Sequence, residues 1–190
     1  MKSGIYELLK NDPHTMSVPN LLSVSRLLFL PLICHFITLQ TKTGSILALL
    51  FLALSGATDF LDGYLARKLD QRSDLGRILD PLLDKFTVGI IMLYLAAYRH
   101  LPYWYVMLVI GRDLLILIFA VRLVHRTKTM AESNHLGKWT LGSFLFVITT
   151  YIINWNPLKS FALWVSLVLI PATLISYLIS SRKLIRIDHS

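Results

Sequence analysis

Four aspartates lie in two close pairs near the middle of the chain. Asp59 and Asp62 are three residues apart, and Asp80 and Asp84 are four residues apart. Either spacing places both members of a pair on one face of an α-helix. Carboxylate oxygens are hard ligands that suit Mg²⁺ or Mn²⁺, and four carboxylates nearly neutralise two such ions. A site with two metal ions stabilises the attacking and the leaving oxygen during displacement at phosphorus.

Each pair lies at the end of an apolar segment, where a bare carboxylate is costly. An acid inside a membrane span costs on the order of 2.5–3.5 kcal/mol, and repulsion between neighbouring acids adds to this. Bound cations relieve both costs. Asp80 is followed by Pro81, a pair that is also typical of a helix start with an aspartate cap, so a purely structural role stays open for this residue.

The elements that must position these acids are long apolar segments. Hydrophobic residues make up 55% of the 190-residue chain, which exceeds the ~45–50% of an ordinary soluble domain. They fall into six blocks, most of them close to the ~20 residues with which a helix crosses a bilayer. The blocks cover residues 18–39, 44–66, 78–97, 102–124, 140–153 and 161–179.

The blocks are continuous and do not alternate, which predicts helices, because only helices and closed barrels pair their backbone groups in lipid. We therefore predict an all-α integral membrane bundle of six transmembrane helices in a single domain over residues 1–190. Residues 1–17 would form a juxtamembrane segment, either with a short amphipathic surface helix or as a frayed terminus. Residues 18–180 would form the bundle, and residues 181–190 a cytoplasmic tail.

Lysine and arginine are concentrated at both termini and in alternate connections between the blocks. The opposite connections carry only Lys42, Arg99 and Lys159. The positive-inside tendency therefore predicts that both termini and the aspartates face the cytoplasm, in the cell (inner) membrane. The formal net charge is +8. This positive charge favours the lipid bilayer and phosphate substrates as partners over nucleic acid, because the charged residues lie between apolar blocks.

Small residues and one arginine accompany the acids. Gly63, Ala66 and Arg67 follow Asp62, and Gly76 precedes Asp80 by four residues. Small residues on the same helix face as the acids leave room for a bulky ligand, or they permit close contact between helices. Arg67 can bind a phosphate through two hydrogen bonds, or it can extend towards the membrane surface.

The 26 residues from Asp59 to Asp84 resemble the signature of the CDP-alcohol phosphotransferase family. That signature has four aspartates, two glycines, an alanine and an arginine at fixed spacing, and every position is met here. The resemblance implies a homodimeric membrane enzyme that binds two divalent cations, Mg²⁺ or Mn²⁺. It implies that the four aspartates are metal ligands and that Asp84 is also the general base. The CDP site it implies comprises Asp62, Gly63, Ala66, Arg67, Gly76 and Asn20.

Within that family the chain is most similar to bacterial phosphatidylglycerophosphate synthases. Asn20 lies in a stretch that resembles their opening, where it can help to hold the nucleotide or simply begin a helix. Residues 111–113 resemble the arginine–acid pair of members that use glycerophosphate or form cardiolipin. Residues 137–140 match part of a basic stretch, although Thr140 and Phe144 stand where a lysine and a glutamine are usual.

Arg112 lies inside an apolar block and needs a partner, either Asp113 or the phosphate of an acceptor. The candidate acceptor phosphate site comprises Arg112, Lys138, Lys85 and Arg122. We expect transfer of the phosphatidyl group from CDP-diacylglycerol to a small, phosphorylated alcohol with release of CMP, and glycerol 3-phosphate is the leading acceptor. Phosphatidylglycerol, which would give cardiolipin, and inositol phosphate stay open. Ion-coupled transport is the alternative of another class, because acids in spans often mark ion routes.

Overall fold

The computed structural model describes the backbone of residues 18–68, 74–127 and 135–187, and the side chains of residues 28–58, 60–61, 83–118 and 136–177. Every regular element in these ranges is an α-helix, which confirms the all-α prediction for them. Contacts divide the chain into two compact units, Met1–Tyr94 and Leu95–Ser190. The helices are α1 (Val18–Thr38), α2 (Lys42–Lys68), α3 (Asp74–Arg99), α4 (Tyr103–Thr127), α5 (His135–Ile153) and α6 (Asn156–Ile187).

Each of the six apolar blocks falls on one of these helices, and every helix except α1 is longer than its block. The third helix begins at Asp74 and the fifth at His135, each a few residues before the apolar block. Apolarity reports contact with lipid, whereas the hydrogen-bonded ladder of a helix continues through polar residues. Asp80 therefore lies inside α3, and the alternative that it caps a helix start is wrong. The expected surface helix in residues 1–17 lies outside the described residues.

The sixth helix exposes large apolar side chains and buries two of its hydroxyl groups. Trp164 and Val168 are 70% and 67% exposed, whereas Ser166 and Thr173 are buried. This arrangement is typical of lipid-embedded helices, which pack through small and hydroxyl residues and leave large apolar ones to the lipid. Within the described residues, Leu136–Ile153 and Asn156–Tyr177 are long and apolar enough to cross a membrane. Two of the described helices are thus consistent with a membrane protein.

In the first unit, α1 packs against α2. The buried face of α1 includes Ile33 and Ile37, and the rings of Phe36 and Phe51 stack with their centroids 5.5 Å apart. Gly44 permits close contact between the start of α2 and the end of α1. A Cβ atom added there would lie 2.8 Å from the backbone oxygen of Phe36, a distance that side chains do not tolerate.

Replacing Gly44 with alanine should therefore destabilise the packing of α1 on α2 by about 1–3 kcal/mol, because the Phe36 carbonyl belongs to a helix backbone and cannot move alone. Thermal unfolding of the purified protein in detergent would measure this as a lower melting temperature. Gly56 is the matched control: it lies in the same helix, and nothing lies within 4 Å of an added Cβ. Gly56→Ala should leave stability unchanged or raise it, since alanine favours helix over glycine. Equal losses in the two variants would contradict the packing account.

In the second unit, α6 packs against both α4 and α5. The hydroxyl of Tyr105 donates a hydrogen bond of 2.8 Å to Ser166, and seven residues further along both helices Arg112 donates to Thr173. This repeated seven-residue step indicates that α4 and α6 run parallel with their contact faces in heptad register. This register brings Arg112 of α4 and Thr173 of α6 to the same level.

Candidate active site

The four aspartates lie symmetrically about the connection between α2 and α3. Asp59 lies nine residues before the end of α2, and Asp84 lies ten residues after the start of α3. Neither helix is interrupted between the members of its pair. The spacings of three and four residues therefore place both members of each pair on one helix face, as expected from the sequence. This donor set consists only of carboxylates, which fits a hard divalent cation.

Of these aspartates, only Asp84 belongs to the described side chains, and it is half-buried. Within the part of the chain whose side chains are described, no group of three or more histidine, cysteine, aspartate or glutamate residues comes together. The convergence of the two pairs around metal ions therefore stays a prediction. The general-base role of Asp84 also stays a prediction.

The residues expected to bind CDP lie on the same helices. Gly63, Ala66 and Arg67 belong to the last turns of α2, Gly76 lies in the first turn of α3, and Asn20 lies in the first turn of α1. Their side chains lie outside the described ranges, so their contacts with a nucleotide stay predictions. Arg67 is the next-to-last residue of α2. It follows the two aspartates of that helix, as expected from the sequence.

Arg112 forms a polar centre in the core of the second unit. Its guanidinium donates through Nη1 to the carboxylate of Asp113, and through Nη2 to Thr173 Oγ1 at 3.3 Å. The Arg112 side chain is only 11% exposed. Asp113 is thus the partner that the apolar position of Arg112 required. Thr173 in turn donates to the backbone oxygens of its own helix, which leaves its lone pairs for the guanidinium.

The aromatic ring of Phe144 completes this centre from α5. The Arg112 Cζ atom lies 5.8 Å from the centroid of the ring, within the range of a cation–π interaction. Thr140 lies one turn earlier on the same helix, is fully buried and donates to the Leu136 carbonyl. The two positions where this chain departs from the family pattern therefore both lie in the core of this unit, and Phe144 directly contacts the arginine.

Two buried polar atoms here have no hydrogen-bond partner within the described residues. One is Nε of Arg112 and the other is the hydroxyl of Tyr177. Tyr177 follows Thr173 by four residues, which puts both on one face of α6. An unpaired buried donor costs on the order of 1–3 kcal/mol. Such groups in a native protein call for an explanation, and a polar ligand supplies one.

The other expected phosphate ligands are not gathered around Arg112 by any described contact. Lys138 is exposed on α5, and the two-residue step to Thr140 turns it about 200° away from that buried residue. Lys85 is half-buried in the first unit, next to Asp84. Arg122 lies in α4 with its side chain outside the described residues. Their role in binding phosphate stays a prediction.

Sequence reasoning missed Thr173, Tyr177 and the Tyr105–Ser166 bond. The signal that was available is the occurrence of hydroxyl residues inside otherwise apolar blocks, since such residues mark helix contacts in lipid. It was too weak to pair residues 61 positions apart, because many serines and threonines satisfy their hydroxyls on their own helix.

Comparisons with known proteins identify the family of this chain. The sequence pattern of the CDP-alcohol phosphatidyltransferase family matches residues 16–172. A CDP-diacylglycerol–glycerol-3-phosphate 3-phosphatidyltransferase of Aquifex aeolicus is 37% identical over 90% of this chain and 98% of its own length. A cardiolipin synthase (CMP-forming) of Streptomyces coelicolor is 30% identical over 79% of this chain and 71% of its own length. The chain therefore belongs to the CDP-alcohol phosphatidyltransferase family, whose members are enzymes of phospholipid synthesis.

Proposed function

We propose that this chain transfers the phosphatidyl group of CDP-diacylglycerol to glycerol 3-phosphate. A hydroxyl oxygen of the acceptor attacks the phosphorus that carries the diacylglycerol, and the bond from this phosphorus to the bridging oxygen of the CMP group breaks. The products are phosphatidylglycerophosphate and CMP. Family membership supports the reaction class over ion-coupled transport, and the name of the Aquifex aeolicus relative supports the acceptor.

The proton of the attacking hydroxyl passes to Asp84 in this proposal. A general base must come within hydrogen-bond reach of the proton it takes, and Asp84 is the last acid of the motif and lies deepest in α3. The half-buried position of Asp84 partly shields this transfer from bulk water. Gly63, Ala66 and Arg67 line the nucleotide side, where the arginine holds a phosphate.

Asp59, Asp62, Asp80 and Asp84 would hold two divalent cations, Mg²⁺ or Mn²⁺. When bound, such ions stabilise negative charge on the attacking and leaving oxygens. The two acidic pairs on uninterrupted helices support this assignment, because carboxylates at these spacings present oxygens along one helix face.

The observation that carries the choice of a phosphorylated acceptor is Arg112. This buried guanidinium already engages a carboxylate and a hydroxyl, and its Nε still has no partner in the described residues. Arginine binds phosphate through two parallel hydrogen bonds. Glycerol 3-phosphate would occupy Nε together with one Nη group, and the hydroxyl of Tyr177 would serve the same polar ligand. Lys138, Lys85 and Arg122 are proposed to add positive charge.

We also propose that all six helices cross the cell membrane, that both termini and the acids face the cytoplasm, and that the chain forms a homodimer. The charge distribution of the connections supports the orientation. Two of the helices meet the length and apolarity of a span within the described residues, and α1 and α2 contain the shorter apolar stretches Leu28–Thr38 and Lys42–Thr58.

A second candidate acceptor is phosphatidylglycerol, which would make the chain a cardiolipin synthase. The relative from Streptomyces coelicolor supports this candidate. The phosphodiester of that lipid is also anionic and could meet Arg112 in the same way.

The decisive experiment measures CMP release from CDP-diacylglycerol with a panel of acceptors, in Mg²⁺ and in Mn²⁺, and identifies the product lipid by mass. We expect release with glycerol 3-phosphate and a rate lower by roughly 10²-fold with glycerol, which lacks the charged group. CMP release only with phosphatidylglycerol or inositol phosphate would show that the acceptor differs from glycerol 3-phosphate while the type of reaction is as proposed. No release with any acceptor would contradict the proposal and favour transport.

A further inference from the structure

The guanidinium of Arg112 is enclosed by residues from α4, α5 and α6, and each helix contacts a different part of it. The Asp113 carboxylate of α4 accepts from Nη1, and Thr173 Oγ1 of α6 lies 3.3 Å from Nη2. The Cζ atom lies over the ring of Phe144 of α5, 5.8 Å from the ring centroid. Of these three neighbours, only the ring has no oxygen or nitrogen atom, so it occupies no donor of the guanidinium.

The ring of Phe144 is held in place by the packing of α5 on α6. Phe144 is only 1% exposed. Side chains of a helix tilt towards its N-terminus, so this ring extends over the turn of Thr140. The Thr140 Oγ1 atom lies 3.5 Å from the carbonyl oxygen of Leu169, which precedes Thr173 by one turn of α6. The ring can therefore leave the guanidinium only if the close-packed core rearranges.

This enclosure leaves one edge of the Arg112 guanidinium available to a ligand. Its Nε is buried and has no hydrogen-bond partner within the described residues. Nε and Nη2 lie on the same edge of the guanidinium plane, and Nη2 has a second proton besides the one that points to Thr173. Two adjacent donors on one edge match two oxygens of a phosphate. An oxygen-bearing side chain in place of Phe144 could accept from Nε and compete with that phosphate, whereas the ring cannot.

A guanidinium that is fixed before the ligand arrives binds the ligand more tightly. Arginine has many rotamers, and a ligand that must itself immobilise such a side chain loses affinity. A cation held over an aromatic face in a desolvated site is stabilised there without any ligand. The contact with Phe144 therefore restrains Arg112 in the empty site, at no cost in hydrogen-bond donors.

We propose that Phe144 is a positioning residue of the acceptor site. Its ring holds the guanidinium of Arg112 so that Nε and Nη2 stay available, on one edge, for the phosphate of the acceptor. Phe144 acts through Arg112 and needs no contact with the acceptor. This inference rests on the proposed function, which supplies the phosphate group of glycerol 3-phosphate, and adds that its binding depends on an aromatic residue of α5.

The test is calorimetric binding of glycerol 3-phosphate to the purified full chain in detergent, without CDP-diacylglycerol. Phe144→Leu stays apolar but loses the ring, so it should raise the Kd about 3- to 10-fold. Phe144→Met fills the site with a flexible apolar chain and should have the same effect; it serves as the second variant if leucine prevents folding, which thermal unfolding checks. In turnover, the KM for glycerol 3-phosphate should rise by the same factor, with kcat and the KM for CDP-diacylglycerol unchanged.

The matched control is Phe146→Leu on the same helix. The ring of Phe146 packs against Phe161, with the ring centroids 6.4 Å apart, so its loss should leave the Kd for glycerol 3-phosphate unchanged. A second control uses Arg112→Lys, which has no planar edge to be oriented. In that background Phe144→Leu should weaken binding by less than about twofold, because the two residues act through one contact.

An unchanged Kd in the folded Phe144 variants would overturn the proposal, as would equal weakening by Phe144→Leu and Phe146→Leu. The same loss from Phe144→Leu in the Arg112→Lys background would also overturn it. CMP release by the unaltered protein, measured in parallel, reports separately on the reaction. Release with glycerol 3-phosphate and an unchanged Kd would remove the role of Phe144 and keep the transferase, whereas the expected changes in Kd without release would keep the role of Phe144 and contradict the reaction.

Discussion

Replacing Asp84 with asparagine should lower the rate of CMP release by about 10³-fold, with the helical fold intact. Loss of a general base alone costs roughly 10²–10⁴-fold, and in the proposed site the same carboxylate also holds a metal ion. Asparagine has nearly the same shape but neither takes the proton nor balances the cation. The measurement is CMP release under saturating CDP-diacylglycerol and glycerol 3-phosphate, with thermal unfolding as the check on folding.

The matched control is Asp74→Asn. Asp74 begins the same helix but lies outside the spacing of the motif, so its replacement should leave the rate within a few-fold. A rate for Asp84→Asn within tenfold of the unaltered protein would show that Asp84 is not the base. Equal losses in both variants would point to a general effect on α3.

Replacing Arg112 should raise the KM for glycerol 3-phosphate by about 10- to 100-fold and leave the KM for CDP-diacylglycerol unchanged. A hydrogen bond to a charged group contributes about 1.5–3 kcal/mol, and each 1.4 kcal/mol is tenfold in affinity. Arg112→Lys keeps the charge beside Asp113 but loses the planar fork, so it should show the effect with the smaller risk to folding. Arg112→Ala should show it more strongly.

The neighbouring carboxylate provides a variant with the opposite expected sign. Asp113 occupies Nη1 of Arg112 and competes with an incoming phosphate. Asp113→Asn should therefore lower the KM for glycerol 3-phosphate, at some cost in stability because a buried cation loses its balancing charge. Glycerol is the control acceptor, since neither substitution should change the slow reaction of a substrate without phosphate. Equal effects of Arg112→Lys on glycerol and glycerol 3-phosphate would remove Arg112 from the acceptor site.

The fold was largely predictable because lipid imposes a strong rule. A run of apolar residues long enough to span the bilayer must be helical there, and each of the six blocks falls on one helix. The ends were less predictable, as the start of α3 at Asp74 and the extension of α6 to Ile187 demonstrate. Polar residues beyond the lipid leave no signal in hydropathy, although the helix continues through them.

The candidate site was predictable where chemistry constrains residue type and spacing. The aspartate motif could be identified because carboxylates in an apolar chain are costly and because their spacing fits a helix face. The need of Arg112 for a partner was also visible, and the structure supplies Asp113. Thr173 and Phe144 were not predictable, because their contact with Arg112 depends on how α4, α5 and α6 pack, and not on local sequence.

The central claim is that one pair of acids from α2 and one from α3 hold the same two metal ions. The most direct test is equilibrium binding of Mn²⁺ to the purified protein, followed by the loss of the free-ion signal in electron paramagnetic resonance. We predict two bound ions per chain, and weaker binding of both in Asp59→Asn on α2 and in Asp80→Asn on α3. Mn²⁺ binding that neither substitution weakens, or that only one of the two substitutions weakens, would contradict a shared site.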